Sequence, residues 1–125
     1  MATMLSLRNE VRILDREDTD YGILEQAEQY GVRNFESLVT GDVKDALDAA
    51  ELVFISTAVP YDVELNFYDT HDVDMYLNQV MRYAPGALVV LRSDVPVGYT
   101  TRMKSRYPEL NLVFVPDFGR NGRAF

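Results

Sequence analysis

Apolar and polar positions along this chain switch repeatedly between two periods. Val11-Arg12-Ile13-Leu14-Asp15 is short and alternating, as a strand requires. Asp20 can cap a helix over about 21–30 that turns Ile23, Leu24 and Ala27 inward and ends at Gly31. Phe35 to Val39 predicts a second short strand. Asp42 then opens Val43 to Ala50, where Val43, Ala46, Leu47 and Ala50 share one helical face. Glu51 to Thr57 follows as a continuous apolar run of the kind buried in a parallel sheet. Val73, Tyr76, Leu77, Val80 and Met81 recur at spacings of 3, 4, 7 and 8, an amphipathic helix closed by Pro85-Gly86. Ala87 to Leu91 and Leu112 to Val115 predict two more buried strands. Between them Tyr99 to Tyr107 reads as a helix stopped by Pro108. Strand and helix alternate throughout. The expectation is one α/β domain over residues 1–125, with a mainly parallel sheet and helices on both faces.

Composition narrows the class. A chain of 125 residues fits one domain, and 47% apolar residues with a mean hydropathy of −0.15 suit a globular protein. No run approaches the ~18 apolar residues of a membrane span. Met1 to Arg8 lacks the basic region and apolar core of a signal peptide. There is no cysteine, which excludes disulfides, thiolate metal sites and thiol nucleophiles, and agrees with a cytoplasmic location. The net charge of −8 is unevenly spread. Residues 1–74 hold 17 acids against 5 Lys/Arg, whereas residues 75–125 hold 3 acids against 7. Direct nucleic-acid binding by the first part is therefore disfavoured. An acidic surface keeps a protein soluble, and it can also dock a basic partner.

Candidate chemistry outside that asymmetry is sparse. His71, the single histidine, lies beside Asp69 and Asp72, where a surface imidazole at a helix start explains it better than a general base or metal ligand. Asp62, Glu64, Asp69, Asp72 and Asp74 lack the spacing and glycine of a calcium loop, so no metal is expected. They are the candidate partner-binding residues. Arg102, Lys104 and Arg106 form a small basic patch on the penultimate helix, most simply a solvated face. Arg120 between Gly119 and Gly122 could cradle an anion, although ordinary loop chemistry explains these residues as well.

Three segments carry a family resemblance. The first is Ala50-Glu-Leu-Val-Phe-Ile-Ser-Thr57 with Tyr61-Asp62 and Asn66-Phe-Tyr-Asp-Thr70. The second is Arg92-Ser-Asp-Val-Pro-Val-Gly98, and the third Phe114-Val-Pro-Asp-Phe-Gly-Arg-Asn-Gly-Arg-Ala124. In this order and spacing they resemble the UDP-glucose/GDP-mannose dehydrogenase family, its UDP-glucose 6-dehydrogenases most closely. The resemblance implies an NAD-linked oxidation of a sugar's primary alcohol to a carboxylate. It also implies a Rossmann-like NAD-binding domain, in which Asp15, Thr57, Ser93, Asp94 and Asp117 fall at cofactor positions. Asp15 would hold the adenosine ribose hydroxyls.

The departures from the family pattern shape the functional expectation. Only Met1 to Thr3 precede the segment that resembles the end of the first helix, so the first strand and its glycine-rich phosphate turn have no counterpart here. The family's Thr-Pro-Thr reads Thr57-Ala58-Val59. Asp94 places a carboxylate where the family has a neutral threonine, and like charge repels a dinucleotide's phosphates. The resemblance implies a catalytic lysine and cysteine beyond Phe125, and no catalytic residue is expected within this sequence. These features point to an incomplete Rossmann-like domain that is not catalytic by itself and acts by binding a macromolecular partner. One version is an acidic inhibitor or nucleic-acid mimic, directed at a basic or nucleic-acid-binding protein. The alternative is the NAD-binding component of a split or truncated UDP-glucose 6-dehydrogenase. Without a first strand, Val11–Leu14 is expected to pair directly with Leu52–Ser56; insertion of Ala2–Leu7 as a replacement strand and self-association into a homodimer are the other repairs.

Overall fold

The computed structural model describes residues 10–14 and 39–116. They belong to two compact units, residues 1–46 and 47–125. In the first, strand β1 (Ile13–Leu14) runs parallel to β2 (Val39–Thr40), with Ile13 opposite Val39 and Leu14 opposite Thr40. Of the strand predicted at Phe35 to Val39, only Val39 lies among the described residues. The helix predicted over 21–30 lies outside them. Arg12 pairs with Glu10 at 2.9 Å and donates to the Asp45 carbonyl at 3.0 Å. The pair is largely solvated, so the ion pair itself contributes little.

Helix α1 (Val43–Leu47) starts where its sequence dictates. The Asp42 carboxylate accepts from the backbone N–H of Lys44 at 2.9 Å and of Asp45 at 3.4 Å, satisfying donors that the first turn leaves free. The helix was expected to reach Ala50 and stops three residues earlier. Ala49 adopts φ +56°, a left-handed conformation that ends a helix even without glycine.

The second unit is organised by a parallel sheet in the order β3 (Leu52–Ile55), β6 (Leu88–Leu91), β7 (Asn111–Phe114). Leu52, Leu88 and Asn111 lie in one row, and Ile55, Leu91 and Phe114 in another. Helix α2 (His71–Tyr83) joins β3 to β6, and α3 (Tyr99–Arg106) joins β6 to β7. All five elements fall within a few residues of the periods read above.

Both crossovers step in the same direction across the sheet. Parallel crossovers are right-handed almost without exception, so α2 and α3 lie over the same face. Burial agrees. Ile55, Val89, Leu91 and Leu112 are buried with Val73, Leu77 and Val80 of α2 and Tyr99 and Met103 of α3. The alternate positions Leu52, Leu88 and Val113 are exposed. The pairing expected between Val11–Leu14 and Leu52–Ser56 would span the two units; within each unit β1 hydrogen-bonds to β2 and β3 to β6. Each short strand takes the partner that a parallel crossover delivers.

A small hairpin, not foreseen from the sequence, follows β3. Strands β4 (Tyr61–Asp62) and β5 (Phe67–Tyr68) pair antiparallel, and the Asp69 N–H closes the ladder on the Pro60 carbonyl at 2.8 Å. Before α3, Pro96-Val97-Gly98-Tyr99 makes a turn closed by the Tyr99 N–H on the Pro96 carbonyl at 3.1 Å. Gly98 sits at φ +86°, the third position of a type II turn, where a side chain would be strained.

Leu77 is fully buried between helix and sheet, whereas Val63 is 79% exposed at the hairpin tip. Leu77→Ala should lower unfolding free energy by about 2–5 kcal/mol. Val63→Ala should change it by no more than ~0.5 kcal/mol. Urea denaturation followed by far-UV circular dichroism measures both.

Candidate functional site

In a parallel sheet of this kind the natural ligand position lies beyond the carboxyl ends of the strands. Here β3 runs out through Thr57 and β6 through Ser93. The Arg92 N–H bonds the Ile55 carbonyl at 2.8 Å, extending the ladder, and the Ser93 hydroxyl then donates to the Thr57 carbonyl at 2.7 Å. Ser93 is only 2% exposed, so its proton is committed to joining the two strand ends. Asp94 comes next and is exposed. The structure thus brings Thr57, Ser93 and Asp94 to one edge, with Thr57 half-buried. Asp15 and Asp117 lie outside the described residues.

A second cluster ties the two helices together at the same end of the sheet. The buried Tyr99 hydroxyl donates to Asp74 Oδ1 at 2.5 Å, and Thr70 Oγ1 donates to Asp74 Oδ2 at 3.3 Å. Asp74 was grouped above with the partner-binding acids, yet it is half-buried and both its oxygens accept internal bonds. Burial first, and the adjoining Asp74 carboxylate second, raise the Tyr99 pKa well above its ordinary value. The hydroxyl is therefore held as a donor. Sequence reading missed this latch because Tyr99 and Asp74 are 25 residues apart.

The remaining acids are exposed and cluster around the hairpin. The Asp62 carboxylate accepts from the Glu64 and Leu65 N–H groups at 3.0 and 3.1 Å, and so shapes the turn. The Asp69 carboxylate accepts from the His71 N–H at 3.0 Å at the start of α2. Asn66, at φ +48°, takes the left-handed position, and its side chain accepts from the Tyr61 hydroxyl. The Tyr61 and Tyr68 rings lie 4.6 Å apart across the strands. The sequence signal for this hairpin was available in Asp62 and Asn66 flanked by aromatics. Glu64, Asp72 and His71 are also exposed. Among the described residues no group of three or more His, Cys, Asp or Glu is placed to hold a metal ion. Nor is any helix among them long and apolar enough to cross a membrane.

A parallel sheet with crossover helices, and polar residues gathered at its carboxyl edge, defines a Rossmann-like α/β protein. No family model matches the chain. It is 35% identical over 98 residues, 78% of its length, to a UDP-glucose 6-dehydrogenase of Campylobacter jejuni subsp. jejuni serotype O:2. It is 32% identical over 74 residues, 59% of its length, to a UDP-glucose 6-dehydrogenase of Streptococcus pneumoniae. The chain is thus a UDP-glucose 6-dehydrogenase-like sequence, and the matches span 25% and 19% of the two relatives' own lengths.

The Tyr99 latch gives a pH dependence with a definite sign. A pKa raised on folding contributes stability that is fully present below the unfolded value, 10.0, and is lost as pH rises beyond it. Tyr99→Phe should lower stability at neutral pH by about 1–3 kcal/mol by leaving Asp74 Oδ1 without its donor. It should also flatten the alkaline decline expected of the parent protein. Thermal melts across the alkaline range test both effects.

Proposed function

We propose that this chain is a non-catalytic binding module on a UDP-glucose 6-dehydrogenase-like nucleotide fold, and that it engages a macromolecular partner with a cationic surface. The observation that carries this reading is the surface formed by the hairpin and the start of α2. There Asp62, Glu64, Asp69 and Asp72 are exposed around five exposed apolar side chains, and residues 48–81 contain no Lys or Arg. Contiguous apolar exposure rimmed by charge is the mark of an interaction site. The charge steers the encounter, and the apolar side chains supply contact area. Proteins that bind nucleic acid offer a surface of the required sign, and an acidic module would compete there with phosphate.

The carboxyl edge supports the non-catalytic half of the reading. An NAD pyrophosphate needs neutral or positive donors there. The Ser93 proton is already given to Thr57, and Asp94 adds a negative charge to the edge. These residues fit the cofactor poorly. The second reading is an NAD-binding component of a UDP-glucose 6-dehydrogenase, and it draws on the sequence matches and on Thr57 and Ser93 meeting at the ligand edge.

Adding NAD separates the two. A ligand present at 100 times its dissociation constant stabilises the native state by ~2.7 kcal/mol. The binding-module reading expects no shift in melting temperature at millimolar NAD and no heat in titration calorimetry. Micromolar affinity that weakens in Asp15→Ala would establish the cofactor-binding reading instead.

A further inference from the structure

We infer that the segment seated on the β4–β5 hairpin is an arginine-rich stretch of another protein, its guanidinium groups stacked on the hairpin's rings and paired with the carboxylates beside them. This rests on the binding-module reading and narrows its partner. Tyr61, Phe67 and Tyr68 are 44%, 56% and 40% exposed, and Val63 and Leu65 reach 79% and 74%. Isolated exposed apolar residues need no explanation, but five within eight positions do.

The strand register sets ring against carboxylate. Tyr61 lies opposite Tyr68, and Asp62 opposite Phe67. Neighbouring strand positions point to opposite faces, so one face carries the tyrosine pair and the other an aspartate beside a phenylalanine. Directly opposed side chains of an antiparallel pair start only ~5 Å apart. The Asp62 carboxylate takes the Glu64 and Leu65 N–H groups on Oδ1 alone, and Asp69 takes the His71 N–H on Oδ1 as well. The Oδ2 atom of each therefore plays no part in shaping the turn. Glu64 and Asp72, both exposed, add two more carboxylates to the same surface.

Charge and ring chemistry together choose the occupant. Residues 48–81 hold seven acids and no Lys or Arg, so a segment seated there has to be cationic. Carboxylates alone would attract lysine and arginine similarly. Exposed rings beside carboxylates discriminate, because a guanidinium is planar and less strongly hydrated than an ammonium. It can lie flat on a ring while its N–H fork meets a carboxylate. Within this chain the guanidinium groups of Arg82, Arg102 and Arg106 each lie 5.4 Å from a tyrosine ring. Among the described residues none lies over Tyr61, Phe67 or Tyr68. Arginine-rich segments are a common device for binding nucleic acid. A protein carrying one would meet here both the charge of a phosphate and the stacking surface of a base.

Fluorescence anisotropy of labelled octa-arginine and octa-lysine, titrated with the full chain at low and physiological salt, tests the inference. Octa-arginine should bind about fivefold tighter or more, the gain from one or two exposed cation–π contacts. Both peptides should weaken as salt rises. Phe67→Leu with Tyr68→Leu should lower octa-arginine to the affinity of octa-lysine and leave octa-lysine unchanged. That unchanged binding also demonstrates that the variant folds. Glu64→Gln with Asp72→Asn should weaken both peptides to a similar extent, because it removes charge and keeps the rings. Equal affinity for the two peptides, or an arginine preference that survives loss of the rings, would overturn the inference and leave the cationic-partner reading standing. Binding of neither peptide would overturn both.

Discussion

The second unit depends on the one-sided burial of its parallel sheet. Because β3, β6 and β7 are adjacent in chain order and joined by crossovers of one hand, both helices must cover the same face. Val73, Leu77 and Val80 from α2 and Tyr99 and Met103 from α3 then meet Ile55, Val89, Leu91 and Leu112. Fully burying each such side chain is worth roughly 1.5–3 kcal/mol, so this layer outweighs every surface interaction in the unit. The same constraint delivers the ends of β3 and β6 side by side, which lets the Ser93 hydroxyl reach the Thr57 carbonyl.

Tyr99 shows how packing converts a sequence position into chemistry. Its ring belongs to the apolar layer, but its hydroxyl emerges where α2 begins and meets Asp74. A buried hydroxyl without a partner would be destabilising, and a buried carboxylate without donors more so. Paired, they hold the first turns of both helices in one arrangement. The hairpin acids face no such demand. Asp62 and Asp69 satisfy turn N–H groups from the solvent side, and their charge remains on the surface. Acids of similar sequence context thus divide into an internal strut and an external field.

Periodicity was enough to place every major element of the second unit, because strand and helix periods are local consequences of burying one face. It also identified Asp42 as a cap and Pro108 as a stop. The three family-like segments, read on sequence alone, led to the dehydrogenase relatives that the chain matches over 78% and 59% of its length. Local patterns are short-range, and so were the failures. The left-handed Ala49 shortened α1 with no glycine to announce it. The two-residue strands of the hairpin were too brief to show a period.

What the sequence determined by itself was the order and type of the second unit's longer elements, the uneven charge, and the kinship with UDP-glucose 6-dehydrogenases. Each of these is a property of neighbouring residues or of their sum. Only the tertiary structure decided which strands pair, that Asp74 is engaged by Tyr99, and that the Ser93 proton is committed to Thr57. It also decided that Asp62, Glu64, Asp69 and Asp72 stand exposed around an apolar hairpin. Those outcomes join residues tens of positions apart. They follow from the handedness of crossovers and the closure of a shared core, neither of which any local stretch of sequence encodes.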